Sequence, residues 1–545
     1  MATISGSRRR KGSAAQVWFV ELTLAAVVFT IAATIVEPDV FDFSTPLDAR
    51  AIEEQVEAIP QEPPRLESAA TTAPPPADDH VYDVAITGGR VMDPDSGYDE
   101  MANVGIDDGT VTEITDAAIQ GKKEVDASGL VVAPGFIDLE SYDPNPYGIW
   151  YKIADGVTTN LGMHGTNGFA DEWYQQWTAV GSPAHFGGAF DDNWYRQRPD
   201  GMELGVSDEA TPAQIDELVE AAKQGLEDGF IGIEFAPEYA PGISYEEIVA
   251  VSQVAADYNV PVFFHGRYSD PDPPGTNQET MEEVIQTGRD TGAKVHVLHI
   301  NSTGGTYTME DSLAQLEAAR AEGVEITADE YPYNFWATTL ASERFAPGWQ
   351  ERFRIDYEDL VIPGTGERLT EETFEIHQAN NDLAAAYAIP EKDVRTALQS
   401  DHVMIGSDAI LEPGDNNHPR AAGTFSRVLG KYVREEKVIS LMEGLSKMTI
   451  QPARLLEEQA PALQLKGRLQ IGAHADITIF DPETISDRAT VTDPSQYSKG
   501  VEWVFVMGKA VKDPDGFNKK RLPGEPIMSD FSNLDIPEDA AAETP

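Results

Sequence analysis

The 545-residue chain is long enough for several structural units, one of which can bury a large core. It carries 93 Asp and Glu against 39 Lys and Arg, a net charge of −54, which argues against a broad electrostatic surface for nucleic acid or anionic lipid headgroups. With no cysteine, disulfides, thiolate ligands and a cysteine nucleophile are excluded.

Only 16 of the basic residues are Lys. A dispersed acidic excess of this size points to a protein that works in concentrated salt, where self-repulsion is screened. The first element in chain order is an apolar run from Val17 to Val36, behind Arg8, Arg9, Arg10 and Lys11. Twenty helical residues reach about 30 Å, one hydrocarbon core. A basic flank before it and an acidic flank after it (Glu37, Asp39, Asp42) predict a single-pass anchor, with the rest of the chain outside the cytoplasm. A signal peptide cleaved near Ala32–Ala33 is the competing expectation. On this reading residues 1–37 are the membrane anchor and 38–79, acidic and rich in Pro and Ala, a linker.

From Val81 the texture changes to short alternating strands, and a matching set returns near the C-terminus in KGRLQIGAHADITIFDP and GVEWVFVMGKAV. Residues 80–133 and 465–515 are therefore expected to build one small composite β-sandwich. Between them lie eight β-type runs: VVAPGFIDLES, VTTNLGMHG, AHFGGAF, IGIEFA, VPVFFHG, KVHVLHINS, EITADEYPY and HVMIGSDA. Amphipathic stretches such as PAQIDELVEAAKQGLEDG separate most of them. The fold class is thus α/β, a (β/α)₈ TIM-type barrel over 134–464 beside the sandwich and after the anchor helix. Residues 334–401 are too long for an ordinary connection and read as an insertion over the site. Residues 516–545 read as a polar tail.

Functional groups of such barrels sit at the C-terminal ends of the strands. Reading those ends gives Glu140, His164, Glu234, His265, His299, Glu330 and Asp408. His265 and His299 close consecutive apolar strands at equivalent ends, a pattern that suits metal ligands. His296, three residues before His299, is expected on the opposite face in a structural role. Asp408 ends an apolar strand, where a carboxylate is costly unless paired, hydrogen-bonded or metal-bound. Beside a metal it could take a proton from water and return it to a leaving amine. Glu234, in phase with the interior of strand four, is a weaker ligand candidate.

The motifs PGFID, DGVTT, LHINSTGG, EYPY, SDAILEP, HPRAAGTFSRVLGKYVREEKVISL and GAHADITIFDPETISDRAT, with the strand-end His265, together resemble the amidohydrolase superfamily over roughly residues 80–515. Within it they are most similar to the D-aminoacylase and N-acyl-D-glutamate deacylase branch. The resemblance implies a zinc-dependent deacylase of N-acyl-D-amino acids, with His265 and His299 as metal ligands and Asp408 as the catalytic carboxylate. Two departures stand at the metal. Where relatives carry His-x-His on the first strand, this chain has Glu140-Ser141-Tyr142, and where they carry a bridging Cys or Glu after the second, it has His164. Glu140, His164, His265 and His299 form a set of O and N donors suited to one Zn²⁺. A barrel that has lost its metal and serves as a membrane-anchored, non-catalytic binding or assembly subunit is the alternative. The partner expected of an active enzyme is a small N-acyl amino acid or related amide. Its carboxylate needs a cation, for which Arg267 and Arg420 are the candidates. Tyr331 and Tyr333, at the end of strand seven, are expected to line the pocket.

Overall fold

The structure, a computed structural model, describes residues 80–199, 201–273 and 275–532. Its centre is a closed parallel barrel. Strands Phe136–Asp138, Val157–Gly162 and His185–Gly188 pair in one run, and Phe190–Asp191, Ile233–Phe235, Pro261–Phe264, Lys294–Val297, Ile326–Glu330 and Val403–Ile405 in another. The third strand belongs to both runs, interrupted only at Ala189. Closure between strands eight and one comes from the backbone N–H groups of Ser407 and Asp408, which donate to the Glu140 carbonyl at 3.2 and 2.7 Å.

Alternation along each strand sorts its side chains. In PVFF, Val262 and Phe264 pack outward against the helices. Phe263 points inward with Ile137, Leu161, Met163 and Leu298, so His265, two residues later, also turns inward. The helix that follows, Asn277–Thr291, shows why these connections are helical. Thr276 Oγ1 accepts the Glu279 N–H at 3.2 Å and Glu279 Oε2 accepts the Thr276 N–H at 2.7 Å, a closed N-terminal box. Its buried face is Thr280, Met281, Val284, Ile285 and Gly288, and Gly292 ends it in the left-handed region at φ 75°.

Both ends of the described chain build a nine-stranded sheet beside the barrel. Its long first strand, Val81–Asp93, pairs with Gln120–Asp126 along its first half and with Val131–Pro134 near its end, with a bulge between Ile86 and Gly89. Val131–Pro134 pairs in turn with Ile477–Phe480 from the far end of the chain. Val84, Ile86, Val104, Val132, Ile479 and Phe505 lie in one apolar core. A buried polar cluster ties sheet to barrel. Asp476 accepts from Lys466 Nζ at 2.9 Å and from the Met507 N–H at 2.8 Å, and lies 3.2 Å from His185 Nε2 of strand three.

Three expectations are corrected. The single-pass placement read from Val17–Val36 does not stand: no helix among the described residues is long and apolar enough to cross a membrane, and that segment, like the 38–79 linker, lies outside them. The region expected as a polar tail continues as packed chain to residue 532. There Ile527 is fully buried, its N–H donates to the Phe186 carbonyl at 2.6 Å, and its carbonyl accepts from Tyr174 Oη at 2.8 Å. His296 does not leave the barrel interior. Its ring packs at a tilt against Phe263, and its Nδ1 lies 2.7 Å from Thr327 Oγ1, one layer beneath the site. Strand alternation breaks after it, because His299 takes a left-handed φ of 32°.

Candidate active site

His299 and Asp408 are both non-glycine residues at positive φ, 32° and 48°. Left-handed backbone is costly for such side chains, and it persists where surrounding contacts over-determine it. For His299 the hold is its backbone N–H on buried Asp329. For Asp408 it is a buried lysine. Lys152 Nζ donates to Asp138 Oδ2 and Ser407 Oγ at 2.6 Å and to the Ala409 carbonyl at 2.5 Å, so all its protons are used across the turn that carries Asp408.

The two bends bring the strand ends to one point. His265 Nδ1 lies 3.0 Å from His299 Nε2 and 3.3 Å from His164 Nε2. His299 Nε2 is 3.4 Å from Glu140 Oε1 and 3.7 Å from Asp408 Oδ2. One donor atom from each of Glu140, His164, His299 and Asp408 falls within 4.8 Å of the others, and the same holds for His164, His265 and His299. Neither Glu140 oxygen has a hydrogen-bond partner, although the residue is fully buried. Left alone, such a carboxylate carries a full desolvation cost, and a cation would relieve it. Burial, then Asp329 and Asp408, push the Glu140 carboxyl well above the ordinary range. Burial also pushes the imidazoles of His265 and His299 well below theirs, leaving them neutral as metal ligands must be. The residues present therefore fit a divalent metal with mixed N and O ligands.

Asp408 behaves differently from Glu140. Burial raises its carboxyl, but Arg420, His299, His164 and the Tyr142 hydroxyl together outweigh it, and the group lies below its ordinary value. Arg420 Nη2 meets Asp408 Oδ2 at 2.8 Å, and Tyr142 Oη donates to Oδ1 at 2.9 Å. For His164, burial opposes the charge, but Glu234, 3.3 Å from its Nδ1, lifts the imidazole to about 9, so a metal bound there would have to displace its proton.

A cavity of about 500 Å³ opens onto these groups, with Tyr142, His164, His265, Asp408, Arg344 and Arg420 among its walls. Arg420 is buried, and its Nε and Nη1 have no partner. The insertion contributes to the walls Trp336–Thr339 and Leu383, from a small sheet of its own, and Arg344, from the short 3₁₀ turn Glu343–Phe345.

Of the residues expected at the site, Glu140, His164, Glu234, His265, His299, Asp408 and Arg420 are brought together. Arg267 is not. Its guanidinium is taken up by Glu283 at 3.0 Å and by the Ile243 carbonyl at 2.9 Å. Tyr331 and Tyr333 do not line the cavity; they are buried beneath Arg420 and Arg427, whose guanidinium carbons lie 4.4 and 4.6 Å from the two ring centres. Three residues were missed. Glu238 Oε2 holds His265 Nε2 at 2.9 Å, the arrangement that orients a ligating imidazole. Asp329, not its neighbour Glu330, faces inward, a choice that alternation from Thr327 would have made. Arg344 came from the insertion, where no periodic signal marks it.

Residues 152–511 match the amidohydrolase family. The N-acyl-D-glutamate deacylase of Alcaligenes xylosoxydans xylosoxydans is 30% identical over 84% of this chain and 98% of its own length. The crystal structure of the N-acyl-D-glutamate deacylase from Bordetella bronchiseptica, complexed with zinc and a phosphonate inhibitor that mimics the tetrahedral intermediate, has a TM-score of 0.70. It is 27% identical and is covered completely by 82% of this chain. A D-aminoacylase structure described for its binuclear metal centre, with one-metal activation and second-metal attenuation, has a TM-score of 0.70 at 25% identity, over 82% of this chain and 99% of that one. The family match takes in barrel strands two to eight and most of the returning strands of the sheet, and the chain belongs to the amidohydrolase family.

Proposed function

We propose that this protein hydrolyses the linear amide bond of N-acyl-D-amino acids, with a metal held by Glu140, His164, His265 and His299. The carrying observation is the pairing of an ionised Asp408 with Arg420 on one wall of the 500 Å³ cavity. When bound, a divalent metal supplies Lewis acidity, polarising the amide carbonyl and acidifying water. Asp408, held as a carboxylate by Arg420 and Tyr142, accepts a proton from the attacking water and returns it to the departing nitrogen. Arg420 lines the cavity with Nη2 on Asp408, and it is the cation beside which the substrate carboxylate settles, which sets the amino acid against the general base. Arg344, also buried, is a second cation on the wall, 3.6 Å from Glu238. Two guanidinium groups favour a substrate rich in carboxylate, and the relatives' own names support the D-amino acid series.

The test is a hydrolysis screen of paired N-acyl-D- and N-acyl-L-amino acids on zinc-loaded protein. Arg420→Met should weaken acyl amino acids relative to matched neutral amides by one to two decades, since a charged hydrogen bond is worth roughly 1.5–3 kcal/mol. Equal losses on both would assign Arg420 to structure alone. No hydrolysis of any acyl amino acid, together with no zinc retained, would favour the non-catalytic barrel.

A further inference from the structure

A second cavity, of about 530 Å³, lies on the far side of a wall formed by Tyr142, His164 and Tyr239, which line both spaces. Its other walls come from the segments after strands two, three and four and include Asn167, Trp194, Gln197 and Arg198. An amide seated at that wall has two arms and therefore needs two spaces. Arg420 and Arg344 mark the first cavity for the amino acid, which leaves the second for the acyl arm. Cavities of about 300–1,000 Å³ hold whole small molecules, so this one is far larger than an acetyl group requires.

Its charges are unevenly matched. Glu234 Oε1 faces His164 Nδ1 at 3.3 Å. Asp191 Oδ1 accepts the Trp194 N–H at 2.8 Å, at the start of the helix Asp192–Gln197. Arg198 pairs with no carboxylate among the described residues, although acidic residues outnumber basic ones by more than two to one. It is held by rings instead: its guanidinium carbon lies 4.2 Å from the centre of Tyr195 and 4.8 Å from that of Phe169. Rings hold a guanidinium without neutralising its charge, so the charge stays available to an anion.

We propose that the second cavity receives the acyl arm and that Arg198 selects acyl groups ending in a carboxylate, such as succinyl or glutaryl. The proposal rests on the deacylase reading. Hydrolysis there adds the elements of water across the C–N bond and releases a dicarboxylic acid and the amino acid.

The experiment compares N-succinyl- and N-butyryl-D-glutamate, equal in chain length and different only in the terminal charge, on full-length zinc-loaded protein and its Arg198→Met variant. Expected is a kcat/KM ratio of roughly ten to a hundred in favour of succinyl, falling to near one in the variant, with Arg198→Lys between them. A ratio near one in the wild type, or equal losses on both compounds in the variant, overturns the proposal. Calorimetric affinities for the same pair separate the two readings. If neither compound is cleaved, the deacylase reading fails, and the cavity assignment still stands or falls on whether succinyl binds more tightly through Arg198.

Discussion

Glu140 stands where the resemblance leads one to expect an imidazole, and it brings a negative charge into the donor cluster. A carboxylate ligand should strengthen retention of zinc. Glu140→Gln is expected to lower zinc per chain and hydrolysis together, whereas Asp408→Asn should cost about 10²–10⁴ in kcat and keep most of the metal. Metal content after dialysis against zinc, set beside turnover of both variants, checks this. If Glu140→Gln keeps wild-type occupancy, the carboxylate is no ligand. The site's main members were legible because each ends an apolar strand where a polar side chain has no other reason to be. Glu238 and Asp329 were not, because they act through His265 and His299. Nothing in local sequence announces a partner supplied by another strand. His296 and His299 show the same limit: the alternation rule failed at a residue whose backbone turns left-handed.

At the scale of elements, the repeat of strand and helix was readable from periodicity, since buried parallel strands and half-buried helices leave different patterns. The insertion was legible by length alone, and its sheet and Arg344 were not. Arg267 was misjudged for a related reason: the helix Asn277–Thr291 returns Glu283 to it, sixteen residues on. The contact between sheet and barrel carries its own prediction. Burial, then Lys466, 3.0 Å from Nδ1, lower the His474 imidazole to about 4. The native state therefore refuses a proton that the unfolded chain accepts near pH 6.5, so stability falls as pH drops from about 6.5 to 4. Asp476, held well below its ordinary range against burial by Lys466 and His185, adds a loss in the same direction below about pH 4. His474→Gln should remove roughly 1–3 kcal/mol of the acid destabilisation across the first window. Thermal melts at pH 7, 5.5 and 4.5 would show the wild type losing more stability than the variant; parallel curves would refute the assignment.

The molecule as a whole carries a net charge of −54. Its buried ion pairs, such as Lys152 with Asp138, are shielded from solvent ions, so salt acts on the surface excess. The screening length shrinks from about 10 Å at 0.1 M to about 3 Å at 1 M. The melting temperature should therefore climb with added KCl and gain most of its rise below 1 M. A flat or falling curve would count against adaptation to salt.

The sheet that joins both ends of the described chain has a consequence in time. Strand Val131–Pro134 lies between Val81–Asp93, made just before it, and Ile477–Phe480, made some 340 residues later. During synthesis that strand waits with one hydrogen-bonding edge open while the whole barrel is translated. At roughly 5–20 residues per second the wait lasts tens of seconds. A nascent chain is thus exposed to wrong pairing on the strand that runs into the first barrel strand, and a ribosome halted near residue 470 would hold a barrel with an unfinished neighbour.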